Sequence, residues 1–282
     1  KGAALNSLGN YTGAIKYYDK ALAINPNDIN ALTNKGVTLF KLGNYTGAIK
    51  SYDKALAINT NDINTLNNKG VTLDSLGNYT GAIKYYDKDL AIYPNNTDAL
   101  NNKGFGLFNL GNYTGAINYY DKDLAINPND TTVLTNKGVA LNSLGNHTEA
   151  IKYFDKSLAL NPTNTKALNG KGAVIDSVGN YTEAIKYYDK ALSINPFDTD
   201  VLFNKGLALD NLGNHTEAIK SYDKDLAINP NDTDALFYKG LALDSLGNYT
   251  EAIKSYYKDL AINPNDTDAS NNKDFDLNNI GK

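Results

Sequence analysis

A Lys-Gly pair returns every 34 residues through this chain of 282. It stands at Lys1-Gly2, Lys35-Gly36, Lys69-Gly70, Lys103-Gly104, Lys137-Gly138, Lys171-Gly172, Lys205-Gly206 and Lys239-Gly240, and an altered ninth copy begins at Lys273-Asp274. Every proline falls in one repeat column, at Pro26, Pro94, Pro128, Pro162, Pro196, Pro230 and Pro264, with Thr60 in the remaining place. Such a chain does not build one central core. Each unit is too small to bury its own apolar faces, and stacking against its neighbours does so instead.

Within a unit the pattern predicts two helices. In the second unit Asp28 is the candidate N-cap of a first helix, because its carboxylate can accept from the orphan N–H groups of the first turn. Leu32, Gly36, Leu39 and Leu42 share one face of that helix. Gly43 is placed to end it and Asn44 to cap the second helix, in which Ile49, Tyr52 and Leu56, and also Ala48, Tyr52 and Ala55, fall together. The turn Asn59-Thr60-Asn61-Asp62 closes the unit, and elsewhere proline enforces the stop. Gly36 lies inside a helix, where glycine costs about 1 kcal/mol relative to alanine. Its return predicts a close approach of the partner helix at a place where a Cβ would clash.

A 34-residue helix–turn–helix repeat of this kind resembles the tetratricopeptide repeat family. Aligned on the proline, Gly36, Ala48, Tyr52 and Ala55 take the small, small, aromatic and small places of the family motif. Leu32 and Leu39 stand where the family often has Trp and Tyr. The match covers the whole chain. The resemblance implies an all-α solenoid, residues 1–282 as one array winding into a right-handed superhelix. First helices would line its concave side and second helices its convex side. Eight second helices and nine first helices make 17. The segment 266–282 reads as a degenerate capping helix, with Ser270, Asp274 and Asp276 as polar replacements for Leu, Gly and Ala or Thr. The first residues read as the middle of a repeat, so an apolar edge there is expected to be bare or covered by earlier repeats.

Several functions are disfavoured. The formal net charge is −4, against the strong basic excess of a nucleic-acid binder. There is no cysteine, hence no disulfide, thiolate nucleophile or cysteine-based zinc site. No apolar run is long enough for a membrane helix. The two histidines, His147 and His215, replace a recurrent turn tyrosine two whole units apart, too far to share a metal. No phosphate loop, Gly-x-Ser-x-Gly or His-Glu-x-x-His motif occurs. No catalytic residue, cofactor or metal is expected. The cytoplasm is the expected compartment, with an extracytoplasmic one left open because the N-terminus reads as truncated. Asn-Tyr-Thr and Asn-His-Thr are formal glycosylation sequons, as is Asn129-Asp130-Thr131, but helix capping explains the turn asparagines better.

Two local expectations follow. In the last four units Glu stands three places after the capping Asn, as in Asn146-His147-Thr148-Glu149, where the first four have Gly. That spacing predicts capping boxes and greater stability in the C-terminal four units. The small place held by Ala21, Ala55 and Ala191 becomes Asp89, Asp123, Asp225 and Asp259 elsewhere. A buried carboxylate needs a partner, and the expected pairs are Asp89–Lys103, Asp123–Lys137, Asp225–Lys239 and Asp259–Lys273.

In the family, the concave face binds segments of partner proteins. Two places before the glycine an asparagine recurs, at Asn34, Asn68, Asn102, Asn136, Asn204 and Asn272, interrupted by Gly170 and Tyr238. The column resembles the asparagine ladder in the repeat arm of O-linked N-acetylglucosamine transferases, which would hold a polypeptide backbone by amide hydrogen bonds. The lysines that a carboxylate clamp needs one turn earlier are missing except for Lys166. Phe203, Phe237 and Tyr238 with Asp176, Asp210 and Asp244 are expected to face the second half of the groove and to favour a basic or mixed apolar peptide. The leading expectation is therefore a non-enzymatic scaffold for an extended polypeptide. Two alternatives are the targeting arm of a larger enzyme, such as a protein O-glycosyltransferase, and an end-to-end self-associating spacer.

Overall fold

A computed structural model describes residues 1–280. Among them are 17 helices and no strand. In the unit Lys1–Gly145 the first helices are α1 (Gly2–Ser7), α3 (Ile29–Lys41), α5 (Ile63–Ser75), α7 (Thr97–Asn109) and α9 (Thr131–Ser143). Its second helices are α2 (Tyr11–Ile24), α4 (Tyr45–Ile58), α6 (Tyr79–Ile92) and α8 (Tyr113–Ile126). The unit Asn146–Lys282 has second helices α10 (His147–Leu160), α12 (Tyr181–Ile194), α14 (His215–Ile228) and α16 (Tyr249–Ile262). Its first helices are α11 (Thr165–Ser177), α13 (Thr199–Asn211), α15 (Thr233–Ser245) and α17 (Thr267–Ile280). Within each compact unit every helix packs on its neighbours in sequence, as a helical repeat solenoid requires.

The hinge of each repeat is built as the sequence predicts. Gly43 takes φ 74°, a left-handed conformation that L side chains rarely adopt. This lets the Asn44 N–H reach back to the Leu39 carbonyl at 2.9 Å. The Asn44 side chain then accepts from the Gly47 N–H at 2.9 Å and starts α4. One helix is thus stopped and the next started around Gly43 and Asn44.

The core of each repeat is one aromatic ring on a glycine. Tyr52, Tyr86, Tyr120, Tyr188, Tyr222 and Tyr256 are fully buried. A Cβ on Gly36 would lie 2.3 Å from the Tyr52 ring, and one on Gly206 would lie 2.4 Å from Tyr222. The close approach predicted from the recurrent glycine is therefore the tyrosine ring itself. Phe154 replaces the tyrosine once, and a Cβ at residue 170 would meet its ring at 2.5 Å. At Gly170, where the asparagine column breaks, the Phe154 ring occupies the space a side chain would take.

At Glu183, Glu217 and Glu251 the reciprocal half of the capping box is missing. Asn caps are short to glycine, 2.9 Å for Gly13, Gly47, Gly81 and Gly115. They lengthen to 3.3–3.4 Å for Glu149, Glu183, Glu217 and Glu251. The return bond from glutamate would need the N–H of the capping asparagine, and Asn180, Asn214 and Asn248 already give that N–H to Ile175, Leu209 and Leu243 of the preceding helix. The glutamates instead pair with the lysine three residues on, for example Glu183–Lys186 at 2.7 Å.

The four expected aspartate–lysine pairs are also corrected. Lys103 pairs with Asp87, Lys137 with Asp121, and Lys239 with Asp223, each two residues before the carboxylate predicted. Lys273 pairs with its neighbour Asp274 at 3.2 Å. Residues two apart on a helix point in nearly opposite directions, so Asp87 faces the lysine and Asp89 faces the core. Asp89 is fully buried and accepts from the Asn96 amide at 2.8 Å. In the repeats of Asp123, Asp225 and Asp259 the residue corresponding to Asn96 is Asp130, Asp232 or Asp266, whose side chain has no N–H to give. Both oxygens of Asp225 and Asp259 are accordingly without a hydrogen-bond partner among the described residues.

Candidate functional site

The first-helix face carries the asparagine column, and the structure adds a feature that the sequence reading missed. Asn102 Nδ2 donates to Asn67 Oδ1 at 3.1 Å, Asn136 to Asn101 at 3.1 Å, and Asn204 to Asn169 at 3.0 Å. Each bond joins a ladder residue to the residue just before the ladder position in the preceding repeat. The 35-residue spacing was visible in the sequence, but only helix stacking turns it into a contact. Asn34 is exposed, whereas Asn68, Asn102, Asn136 and Asn204 are half-buried. One N–H and the Oδ1 of Asn102, Asn136 and Asn204 are left over from these bonds.

Where the two columns hold aromatics, ring contacts replace the amide bonds. Tyr238 meets Phe203 edge-on at 5.6 Å between centroids and Phe237 at 5.5 Å. Phe203 and Phe237 also touch the buried Tyr222 and Tyr256, each at 6.0 Å. The three aromatics predicted for the groove are thus brought together in one half-buried patch.

The accompanying aspartates are less available than their helical phase suggests. Asp244 accepts from the buried Tyr256 hydroxyl at 2.5 Å, and Asp210 bonds His215 Nδ1 at 2.5 Å. Asp176 has a buried oxygen, and burial raises its pKa above the ordinary carboxylate value. All three are half-buried. The same arrangement recurs in the other unit, where Tyr86 donates to Asp74 at 2.6 Å and burial pushes Asp74 up to about 6. Asp74 and Asp244 thus serve inner tyrosines, and Asp210 serves His215. Asp276, a polar replacement in the last helix, is fully buried rather than solvated. Burial and the adjacent Asp244 raise its pKa.

Among the described residues no group of three His, Asp or Glu side chains is arranged to hold a metal ion. No helix there is long and apolar enough to cross a membrane.

The fold and this face define an all-α helical repeat solenoid with an amide-lined surface. Models described as tetratricopeptide repeat match residues 29–62, 63–96, 97–130 and 132–164, and a further TPR repeat model matches residues 2–43. The chain belongs to the tetratricopeptide repeat family. Residues 177–258 match the model of anaphase-promoting complex, cyclosome, subunit 3. Among solved structures, a chain of the APC/C hetero-tetramer Cut9–Hcn1 aligns with a TM-score of 0.74 at 20% identity, over 95% of this chain and 52% of that one. The present chain thus spans about half the length of that relative. A tetratricopeptide repeat protein from Parabacteroides merdae ATCC 43184 gives 0.71 at 20% identity, over 88% and 98% of the two chains. The MamA protein gives 0.51 at 28% identity, over 59% and 91%. No curated protein sequence matches the chain.

Proposed function

We propose that the protein is a non-enzymatic interaction scaffold that holds an extended polypeptide along its first-helix face. The observation that carries this reading is the tied amide row. A free asparagine loses side-chain entropy when it binds, whereas Asn102, Asn136 and Asn204 are already fixed by a neighbour and still offer a donor and an acceptor. Each such bond nets only about 0.5–1.5 kcal/mol, so a ligand must engage several repeats at once. The Phe203, Phe237 and Tyr238 patch adds an apolar anchor. With Asp210 and Asp244 engaged by His215 and Tyr256, it carries more of the preference than the acidic groups do. The similarity to parts of the anaphase-promoting complex supports a scaffold role, since both descriptions name subunits of an assembly.

Selection from a displayed random-peptide library tests the reading. Peptides enriched on the parent should be lost when Asn34, Asn68, Asn102, Asn136 and Asn204 are all changed to Ala, while helicity is retained. Enrichment that is the same on both proteins would remove the asparagine row from the site.

A further inference from the structure

The opposite, second-helix side of the repeats carries a cleft that is filled in some repeats and open in others. In one version Lys103 reaches from α7 to Asp87 on α6 and donates to the Tyr119 hydroxyl on α8 at 2.5 Å. Two ammonium groups approach the Tyr119 ring, Lys103 at 4.1 Å and Lys122 at 4.6 Å from its centroid. Lys69, Tyr85 and Lys88 repeat this arrangement, with a 2.5 Å bond from Lys69 to the Tyr85 hydroxyl. Lys171, Tyr187 and Lys190 repeat it in the second compact unit. Burial opposes the Lys69 charge, but Asp53 and Tyr85 outweigh it and hold its pKa above the ordinary lysine value.

At three places the tyrosine is replaced by serine: Ser51, Ser221 and Ser255. Each serine hydroxyl turns back to its own helix, to the carbonyl of Gly47, Glu217 or Glu251. The lysines remain. Lys35, Lys205 and Lys239 still hold Asp19, Asp189 and Asp223, but their side chains are 24–26% exposed, against 8% for Lys69, 11% for Lys103 and 13% for Lys171. The cleft beside Tyr119 measures about 250 Å³. It opens to about 390 Å³ at Ser51 and about 490 Å³ at Ser255. Leu100, Lys103 and Lys122 line the first; Leu236, Lys239 and Lys258 take the same places in the last.

We propose that the clefts at Ser51 and Ser255, with the same position at Ser221, are sockets for a tyrosine side chain supplied by a partner polypeptide. The protein's own repeats provide the template. An apolar wall of leucine receives the ring, two ammonium groups face it as cation–π partners, and the deeper lysine donates to the phenol oxygen. Serine at these places leaves out the ring and keeps the leucine and both lysines. A phenylalanine side chain would lose the hydroxyl bond, and a bare anion would lose the ring contacts. This surface is separate from the asparagine row, so the two readings stand or fall independently.

The test uses p-cresol, which is the tyrosine side chain itself, with toluene and inorganic phosphate as comparisons, followed by amide chemical shifts in the full chain. Saturable shifts centred on Ser51 and Ser255, stronger for p-cresol than for toluene, are expected. Ser51→Tyr and Ser255→Tyr should each abolish the local response, and Tyr119→Ser should create a new one at position 119. The Tyr119→Ser arm keeps the test decisive if a filled variant folds poorly. A cresol response indifferent to these changes, a response to phosphate in place of cresol, or no response at any cleft would overturn the proposal.

Discussion

Asn102 on α7 donates its side-chain amide to Asn67 on α5 at 3.1 Å, so adjacent first helices are tied through the very groups expected to meet a ligand. The pair should show measurable coupling. Asn67→Ala and Asn102→Ala are each expected to cost about 0.5–1.5 kcal/mol, and the double variant less than their sum. Urea unfolding of the four proteins in the cycle measures it. Strict additivity would show that the bond contributes nothing to folding.

Glycine beneath the buried tyrosine is a steric requirement. Gly206→Ala places a Cβ 2.4 Å from Tyr222, so the ring or the helix must shift. Although alanine is the better helix former, the substitution should destabilise by about 1–3 kcal/mol through overpacking. A raised thermal midpoint would mean that the ring moves aside freely.

The other class of glycine should behave oppositely. Gly81 is the third residue of α6, and four other repeats hold glutamate at this place. Gly81→Glu is expected to add about 0.5–1 kcal/mol, combining the glycine penalty removed with a Glu–Lys84 pair, despite a longer cap bond. Chemical denaturation decides it, and a loss of stability would show that the cap bond outweighs both gains.

Buried carboxylates give the fold a definite pH dependence. Asp225 is fully buried, with Asp232 and Asp200 nearby. Burial first, and then these two charges, pushes it from an ordinary value of 3.8 up to about 6. Asp259 and Asp123 are raised likewise to about 6. The folded state therefore binds these protons more tightly than the unfolded chain does. The resulting stability is complete below the unfolded pKa and is lost as pH rises through about 6. Asp225→Ala restores the residue found at Ala21, Ala55 and Ala191. It should stabilise the protein at pH 7.5 by about 1–3 kcal/mol, the cost of an unpaired buried polar group. The gain should shrink towards pH 4. Thermal midpoints of parent and variant across this range check it, and a gain that grows in acid would refute the assignment.

The sequence by itself determined the period, the helix pairs and their ends. These depend on neighbours within a few residues: Gly43 for the left-handed turn, Asn44 for the cap, proline for the stop. It also determined that something must pack on Gly36, because a helix does not keep a glycine without a steric reason. What it left undecided was side-chain direction across the stack. Lys103 had two aspartates within reach in sequence, Asp87 and Asp89, and only the rotation of α6 against α7 turned one to the lysine and the other to the core. The asparagine row was legible as a column, but the bond from Asn102 to Asn67 exists only once two first helices lie side by side. The same holds for Asp210 and Asp244, whose helical phase pointed to a groove and whose carboxylates turn to His215 and Tyr256. Local rules act along the chain and can be read there; partner choice is set by which faces meet, and that geometry arises only when the repeats stack.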